Sequence, residues 1–129
     1  MQNAVNVVSA VSAALMAYLF GPMDALFFAL LACMGMDYLS GVIAAYIEGT
    51  LSSKKGFVGL SKKLLILCVT AVGTILDNAT GANGMLRALV LGFYVANECI
   101  SLLENAGRLG VPLPRKLLDA LEQVKAKTS

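Results

Sequence analysis

The chain has 129 residues, of which 58% are hydrophobic and 14% are charged, with a formal net charge of +2 and a mean hydropathy of +0.78. A soluble domain carries about 25% charged residues, so this composition excludes an ordinary soluble protein and indicates a single integral membrane domain. The basic residues are not interleaved with aromatic residues, and we therefore expect no nucleic-acid partner.

Three cysteines, Cys33, Cys68 and Cys99, each lie inside an apolar run and share no short spacing. Their odd number and separation argue against a disulfide framework or a metal site, so we expect three small buried hydrophobic side chains. The sequence contains no histidine and no Ser/His, Cys/His or metal-ligand arrangement. We therefore expect no catalytic site, no cofactor and no enzymatic activity.

Apolar runs at residues 4–20, 23–47, 64–80 and 86–103 predict about four transmembrane helices, so that residues 1–111 form the membrane domain. No Lys or Arg precedes the first run, which favours a retained span over a cleaved signal peptide. Gly21 and Pro22 end this run and predict a tight hairpin. Residues 51–63 (LSSKKGFVGLSKK) predict an exposed loop with a short surface helix. An arrangement of three spans, with the first run lying flat or the first two forming a re-entrant hairpin, is the alternative.

The first run is rich in small residues. Ser9, Ala13 and Ala17 follow one another at steps of four, a spacing that lets helix backbones approach closely in lipid. This pattern is typical of ordinary packing within one chain and also of an oligomer contact.

Polar residues interrupt the later runs on defined helix faces. In the fourth run a polar stripe advances by steps of three or four residues and comprises Tyr94, Glu98, Ser101, Asn105 and Arg108. In the second run Asp37 shares a face with Gly41. A charged side chain at the centre of a bilayer costs about 2.5–3.5 kcal/mol, so these faces should meet protein or water. The predicted pore or oligomer face comprises Asp37, Gly41, Tyr94, Asn97, Glu98, Ser101, Glu104 and Asn105. Asp77 and Arg87 flank the last turn, where they either pair or remain solvated.

The positions of the basic residues predict the topology. With four spans, the loop at residues 48–63 and both termini share one side of the membrane, and of the ten basic residues only Arg87 lies opposite. Such asymmetry places the basic side in the cytoplasm. Lysines near a membrane surface are attracted to anionic headgroups, which makes Lys54, Lys55, Lys62 and Lys63 a predicted membrane-surface anchor.

Residues 112–129 form a predicted cytoplasmic tail. Pro112 and Pro114 interrupt the helix, and Leu113, Leu117, Leu118, Leu121 and Val124 then follow a helical apolar period. The charged residues Arg115, Lys116, Asp119 and Glu122 surround this stripe. A short amphipathic helix of this kind lies on the bilayer or docks on other subunits, where it could serve as a regulatory tail.

Two stretches resemble the phage-lysis and toxin-secretion holins of Gram-positive bacteria and their phages. The first is MDYLSGVIAAYIEGTLSSKKGFVGLSKKLLIL (residues 36–67), and the second is NECISLLENAGRLGVPLPRKLLDALEQVK (residues 97–125). The resemblance implies a small multi-pass protein of the bacterial cytoplasmic membrane that forms homo-oligomers. It also implies lesions through which an endolysin or a large toxin passes, and an antiholin as a further partner.

We expect spans two and four to hide Asp37, Glu98 and the polar stripe against one another or against neighbouring subunits. As copies concentrate, this surface would come to line a hydrated opening. Three other interpretations remain: a static bundle that these residues brace, an antiholin or regulatory subunit, and a small proton-coupled transporter.

Overall fold

The computed structural model describes residues 1–128, and it contains five helices: α1 (Gln2–Phe20), α2 (Ala25–Ile47), α3 (Ser53–Thr80), α4 (Met85–Arg108) and α5 (Arg115–Thr128). The first four are long and apolar enough to cross a membrane. No strand occurs among the described residues. The predicted all-helical membrane protein with four spanning helices is confirmed.

The hairpin between α1 and α2 forms where the sequence predicts it. Gly21 ends α1 with a φ of 72°, and a side chain at this position would also lie 2.8 Å from Nε of Arg87. Asp24 begins α2, because its carboxylate accepts a hydrogen bond of 3.0 Å from the amide of Phe27. This cap satisfies one of the amides that a helix start leaves without a partner.

Helix α3 begins at Ser53, so the prediction of a loop over residues 51–63 is wrong for all but its first two residues. Ser52 caps the helix by accepting a hydrogen bond of 3.1 Å from the amide of Lys55, and none of the lysines and serines that follow breaks a helix. At 1.5 Å per residue its 28 residues extend about 42 Å, more than the hydrocarbon core of about 30 Å. The first turns of α3 are therefore part of the same continuous helix as the apolar segment, and the helix is long enough for them to extend beyond the hydrocarbon core.

The bundle is built on α2 and α4, which share the most extensive contact, and α3 packs chiefly on α4. A small apolar cluster of Phe27, Leu30, Met34 and Leu91 lies between α2 and α4. Gly73 lets α3 approach α4 closely, since a Cβ at this position would lie 2.9 Å from a methyl group of Val90. Helix α1 touches α3, yet none of its residues is buried.

Arg87 and Asp77 fasten the end of the bundle where α1 meets α2 and α3 meets α4. Buried Asp77 accepts hydrogen bonds from the amides of Gly84 (2.8 Å) and Arg87 (2.9 Å). The Arg87 guanidinium donates to the carbonyls of Phe20 (2.7 Å) and Pro22 (2.8 Å) and to the Asp24 carboxylate (2.8 Å). The two side chains therefore take different partners, and Asp77 meets Arg87 through the backbone.

This contact predicts a pH dependence of stability. Hydrogen bonds from Arg87, assisted by the amide of Phe27, lower the pKa of Asp24 from 3.8 to about 2. Because the folded-state pKa is lowered, ionised Asp24 stabilises the fold above about pH 4, and this contribution is lost as the pH falls toward about 2.

We expect Asp24→Asn to lower the thermal midpoint in detergent micelles near pH 5 and to converge with the parent chain near pH 2. Asparagine caps helices about as well as aspartate, so the difference isolates the ion pair with Arg87. An equal difference at both pH values would contradict this assignment.

Candidate polar site between the spanning helices

Lys63 of α3 lies between two carboxylates from two other helices. Its ammonium is 2.7 Å from Oδ2 of Asp37 on α2 and 2.5 Å from Oε2 of Glu98 on α4. All three side chains are largely shielded, with 14%, 11% and 7% of their surfaces exposed. Removing ions from water costs free energy, and this cost is offset only when the ions are well paired. The two ion pairs of Lys63 provide that pairing, and they join three helices.

Asn105 extends the contact along α4. Its amide donates to Oδ1 of Asp37 (3.0 Å) and to the hydroxyl of Ser40 (2.9 Å), and that hydroxyl donates to the Asp37 carbonyl (2.9 Å). We name Asp37, Ser40, Lys63, Glu98 and Asn105 the polar cluster. Among the described residues, every buried side-chain nitrogen and oxygen has a hydrogen-bond partner, so one copy of the chain satisfies the cluster by itself.

A cavity of about 500 Å³ reaches the polar cluster from the end of the bundle that carries the lysines. Ser101, Gly41, Lys55 and Lys62 line it together with most of the cluster. The cavity is mixed in charge and large enough to admit several water molecules. It therefore connects the buried charges with the outside of the bundle at that end.

Glycines on α3 shape the wall of this cavity. The Tyr38 ring lies against Gly59, and its hydroxyl donates to the carbonyl of Gly56 at 3.3 Å. A Cβ at Gly56 would lie 3.4 Å from that hydroxyl, so glycine lets the tyrosine bridge α2 and α3 above the cluster.

Arg108 and Glu48 form a more exposed ion pair at the same end, 2.6 Å apart. The Arg108 side chain lowers the pKa of the Glu48 carboxyl. Both side chains are more than one-third exposed, and pairs of this kind contribute little to stability.

The structure brings together only part of the predicted pore or oligomer face. Asp37, Glu98 and Asn105 meet in the polar cluster, and Gly41 and Ser101 line the cavity beside it. Three other members lie elsewhere: Tyr94 packs against the apolar core, whereas Asn97 and Glu104 are exposed on α4. The polar stripe therefore turns toward α2 and α3 for most of its length.

Of the four lysines in the predicted membrane-surface anchor, Lys63 is the one that the sequence prediction misplaces. Lys54, Lys55 and Lys62 are exposed, as a surface anchor requires, but Lys63 pairs with two carboxylates inside the bundle. A signal was present, because Lys63, Thr70, Thr74 and Asp77 share one face of α3 at steps of seven, four and three. The tail residues Arg115, Lys116, Asp119 and Glu122 are exposed on α5.

The cysteines also differ from expectation. Cys33 is buried, whereas Cys68 is exposed. Sγ of Cys33 lies 3.3 Å from Sγ of Cys99, although 66 positions separate the two residues. Distance along the chain did not reveal this proximity, because α2 and α4 are neighbours only in the folded bundle.

Comparison with known proteins identifies the family. The bacteriophage holin family matches residues 14–126 of the chain. The chain belongs to this family. A protein described as a probable holin, from Bacillus phage phi105, is 33% identical to this holin-family chain over 110 residues, which cover 85% of the chain and 81% of that protein. The two chains therefore match over most of their lengths.

Bacterial relatives are also similar. A 14.9 kDa protein of Clostridium perfringens is 44% identical over 115 residues, covering 88% of this holin-family chain and 86% of that protein. A protein of Listeria monocytogenes is 40% identical over 115 residues, covering 89% and 82%. No solved structure is significantly similar.

The polar cluster predicts that two adjacent lysines differ sharply in their contribution to stability. Lys63→Met leaves both buried carboxylates without their cation, and we expect it to lower the free energy of unfolding by about 3–5 kcal/mol. Lys62→Met, one position away on an exposed face, should change it by less than about 0.5 kcal/mol. Titration with sodium dodecyl sulfate, followed by circular dichroism, measures both values. Equal losses in the two variants would be inconsistent with a buried ion cluster.

Proposed function

We propose that this holin-family chain oligomerises in the bacterial cytoplasmic membrane and opens lesions through which an endolysin, or a large toxin, leaves the cell. The observation that carries the proposal is the polar cluster, whose charges are satisfied within one subunit but lie beside a cavity that opens at one end of the bundle. Such an arrangement suits a protein that first accumulates in the membrane without opening it and later presents a hydrated surface.

The closed subunit hides its charges incompletely. When ionised, Asp37 and Glu98 contribute two negative charges against the single positive charge of Lys63, so the cluster keeps a net charge of −1. A residual charge in a region of low dielectric favours any rearrangement that brings water to it. The cavity beside Ser101 gives water a short path to that charge.

Helix α1 offers the surface through which subunits could assemble. None of its residues is buried within the subunit, and Ser9, Ala13 and Ala17 form a small-residue stripe suited to close helix packing in lipid. We infer that neighbouring copies pack here as the protein accumulates. Contacts between copies then replace part of the contact between α2 and α4, and the polar clusters of several copies turn toward a shared lumen.

The orientation follows from charge. Both termini lie on one side when four helices span the membrane, and exposed Lys54, Lys55 and Lys62 share this side with Arg115 and Lys116 of α5. Lys63 no longer counts toward this asymmetry because it is neutralised within the bundle, yet the remaining basic residues still favour a cytoplasmic location. Anionic headgroups would hold the exposed lysines, and α5 would lie at the cytoplasmic surface, where it is accessible to a regulatory partner such as an antiholin.

Induced expression in bacteria, with and without a co-expressed endolysin, tests the proposal. A holin should halt growth abruptly, and a cytoplasmic reporter enzyme should appear in the medium when the endolysin is present. Continued growth accompanied by delayed lysis in cells that also express an active holin would instead indicate an antiholin. Proton-driven cation uptake by vesicles without passage of a folded protein would indicate a transporter.

Two substitutions test the role of the polar surface in opening. Glu98→Gln removes the residual negative charge, and Ser101→Leu places an apolar side chain in the cavity; both lower the gain from hydration, so we expect a later onset of lysis in each. Ser61→Leu is the matched control, since Ser61 lines an apolar groove between α2 and α3 and does not line the cavity. Culture turbidity after induction, normalised to the amount of protein in the membrane, measures the onset. Unchanged timing in both variants would exclude this mechanism.

A further inference from the structure

Cys33 and Cys99 bring two free thiols together across the contact between α2 and α4. Their sulfur atoms are 3.3 Å apart, and a disulfide requires about 2.05 Å, so only a small local shift separates the dithiol from a bond. We propose that these residues form a peroxide-oxidisable pair whose disulfide fastens α2 to α4 and holds the subunit closed. Its effect on release rests on the proposed function, whereas the oxidation itself does not.

The position of the pair selects the kind of oxidant that can reach it. Cys33 is 9% exposed and lies among apolar side chains of two membrane-spanning helices, where charged or bulky oxidants are excluded. Hydrogen peroxide is small and uncharged, so it can enter the bundle. Cys99 is the more accessible of the two thiols, and it is therefore the first to react.

The reaction is balanced by one peroxide molecule. The sulfur of Cys99 attacks one peroxide oxygen, the O–O bond breaks, and the thiol proton leaves with the other oxygen as water, so that Cys99 becomes a sulfenic acid. The sulfur of Cys33 then attacks the sulfur of Cys99, forms the S–S bond and displaces a second water. The two thiols supply the two electrons that reduce the peroxide to two waters.

The third cysteine provides an internal control. Cys68 lies on α3 with its side chain exposed, and no sulfur partner for it occurs within the described part of the chain. Oxidation of Cys68 alone would cross-link different copies, and that product differs in mass from the intramolecular disulfide.

Mass spectrometry of the reduced full-length chain in detergent, before and after treatment with hydrogen peroxide, tests the site. We expect the mass of the parent chain and of Cys68→Ser each to fall by that of two hydrogen atoms. Digestion of either protein should yield two peptides joined by a disulfide between Cys33 and Cys99. Cys33→Ser and Cys99→Ser should not form this bond. The oxidised parent should also unfold at a higher temperature than the reduced form, because the bond restricts the unfolded chain. Absence of the disulfide in the parent, or its presence without added thermal stability, would overturn the proposal.

Vesicles that contain a trapped folded protein test the closed state. We expect oxidation of Cys68→Ser to slow release at least about tenfold and dithiothreitol to restore it, whereas Cys33→Ser on the Cys68→Ser background should be insensitive to peroxide. Formation of the disulfide with unchanged release would overturn the lock. Failure of the reduced protein to release its cargo would contradict the proposed function alone, since mass and thermal stability still decide whether the bond fastens α2 to α4.

Discussion

The arrangement of the spanning helices depends on one lysine held between two carboxylates. In lipid, apolar side chains gain little by exchanging hydrocarbon for one another, and the apolar cluster between α2 and α4 is small. Polar contacts must therefore specify which helix faces which. Lys63 can satisfy Asp37 and Glu98 together only where α2, α3 and α4 converge, so this ion cluster fixes the rotation of three helices at once.

A second set of polar contacts fixes the opposite end. Arg87 reaches across to the carbonyls of Phe20 and Pro22, and Asp77 binds the turn between α3 and α4. These contacts hold the hairpin that begins α2, but they leave the length of α1 without a buried residue. Of the four apolar helices, α1 is thus the one without a buried residue, and it is the helix most available to other copies.

The sequence alone predicts the spanning helices and several members of the polar cluster, because apolar length and helical periodicity are local properties. Asp37, Glu98 and Asn105 could be assigned to inward faces since each would be costly in lipid. Lys63 could not be assigned as easily: it ends a run of lysines typical of a membrane surface, and only its register with Thr70, Thr74 and Asp77 places it inside. The start of α3 was missed for a related reason, as serine, glycine and lysine are typical of loops, although the Ser52 cap and tertiary contacts stabilise a helix there. The approach of Cys33 to Cys99 depends on the docking of α2 on α4, which no local pattern reports.

In the proposed function, the same polar groups serve two requirements that oppose each other. They must be paired well enough for copies to accumulate without leakage, and they must still gain from contact with water when copies assemble. A fully apolar interface between α2 and α4 would meet the first requirement but would supply no polar surface to line a hydrated lumen. Unpaired carboxylates, in contrast, would hinder insertion into the membrane. One cation between two carboxylates lies between these limits, because pairing offsets most of the burial cost while the second carboxylate leaves a charge that water can still stabilise. The proposed opening then needs no new chemical group, only an exchange of contacts within the subunit for contacts between subunits around water.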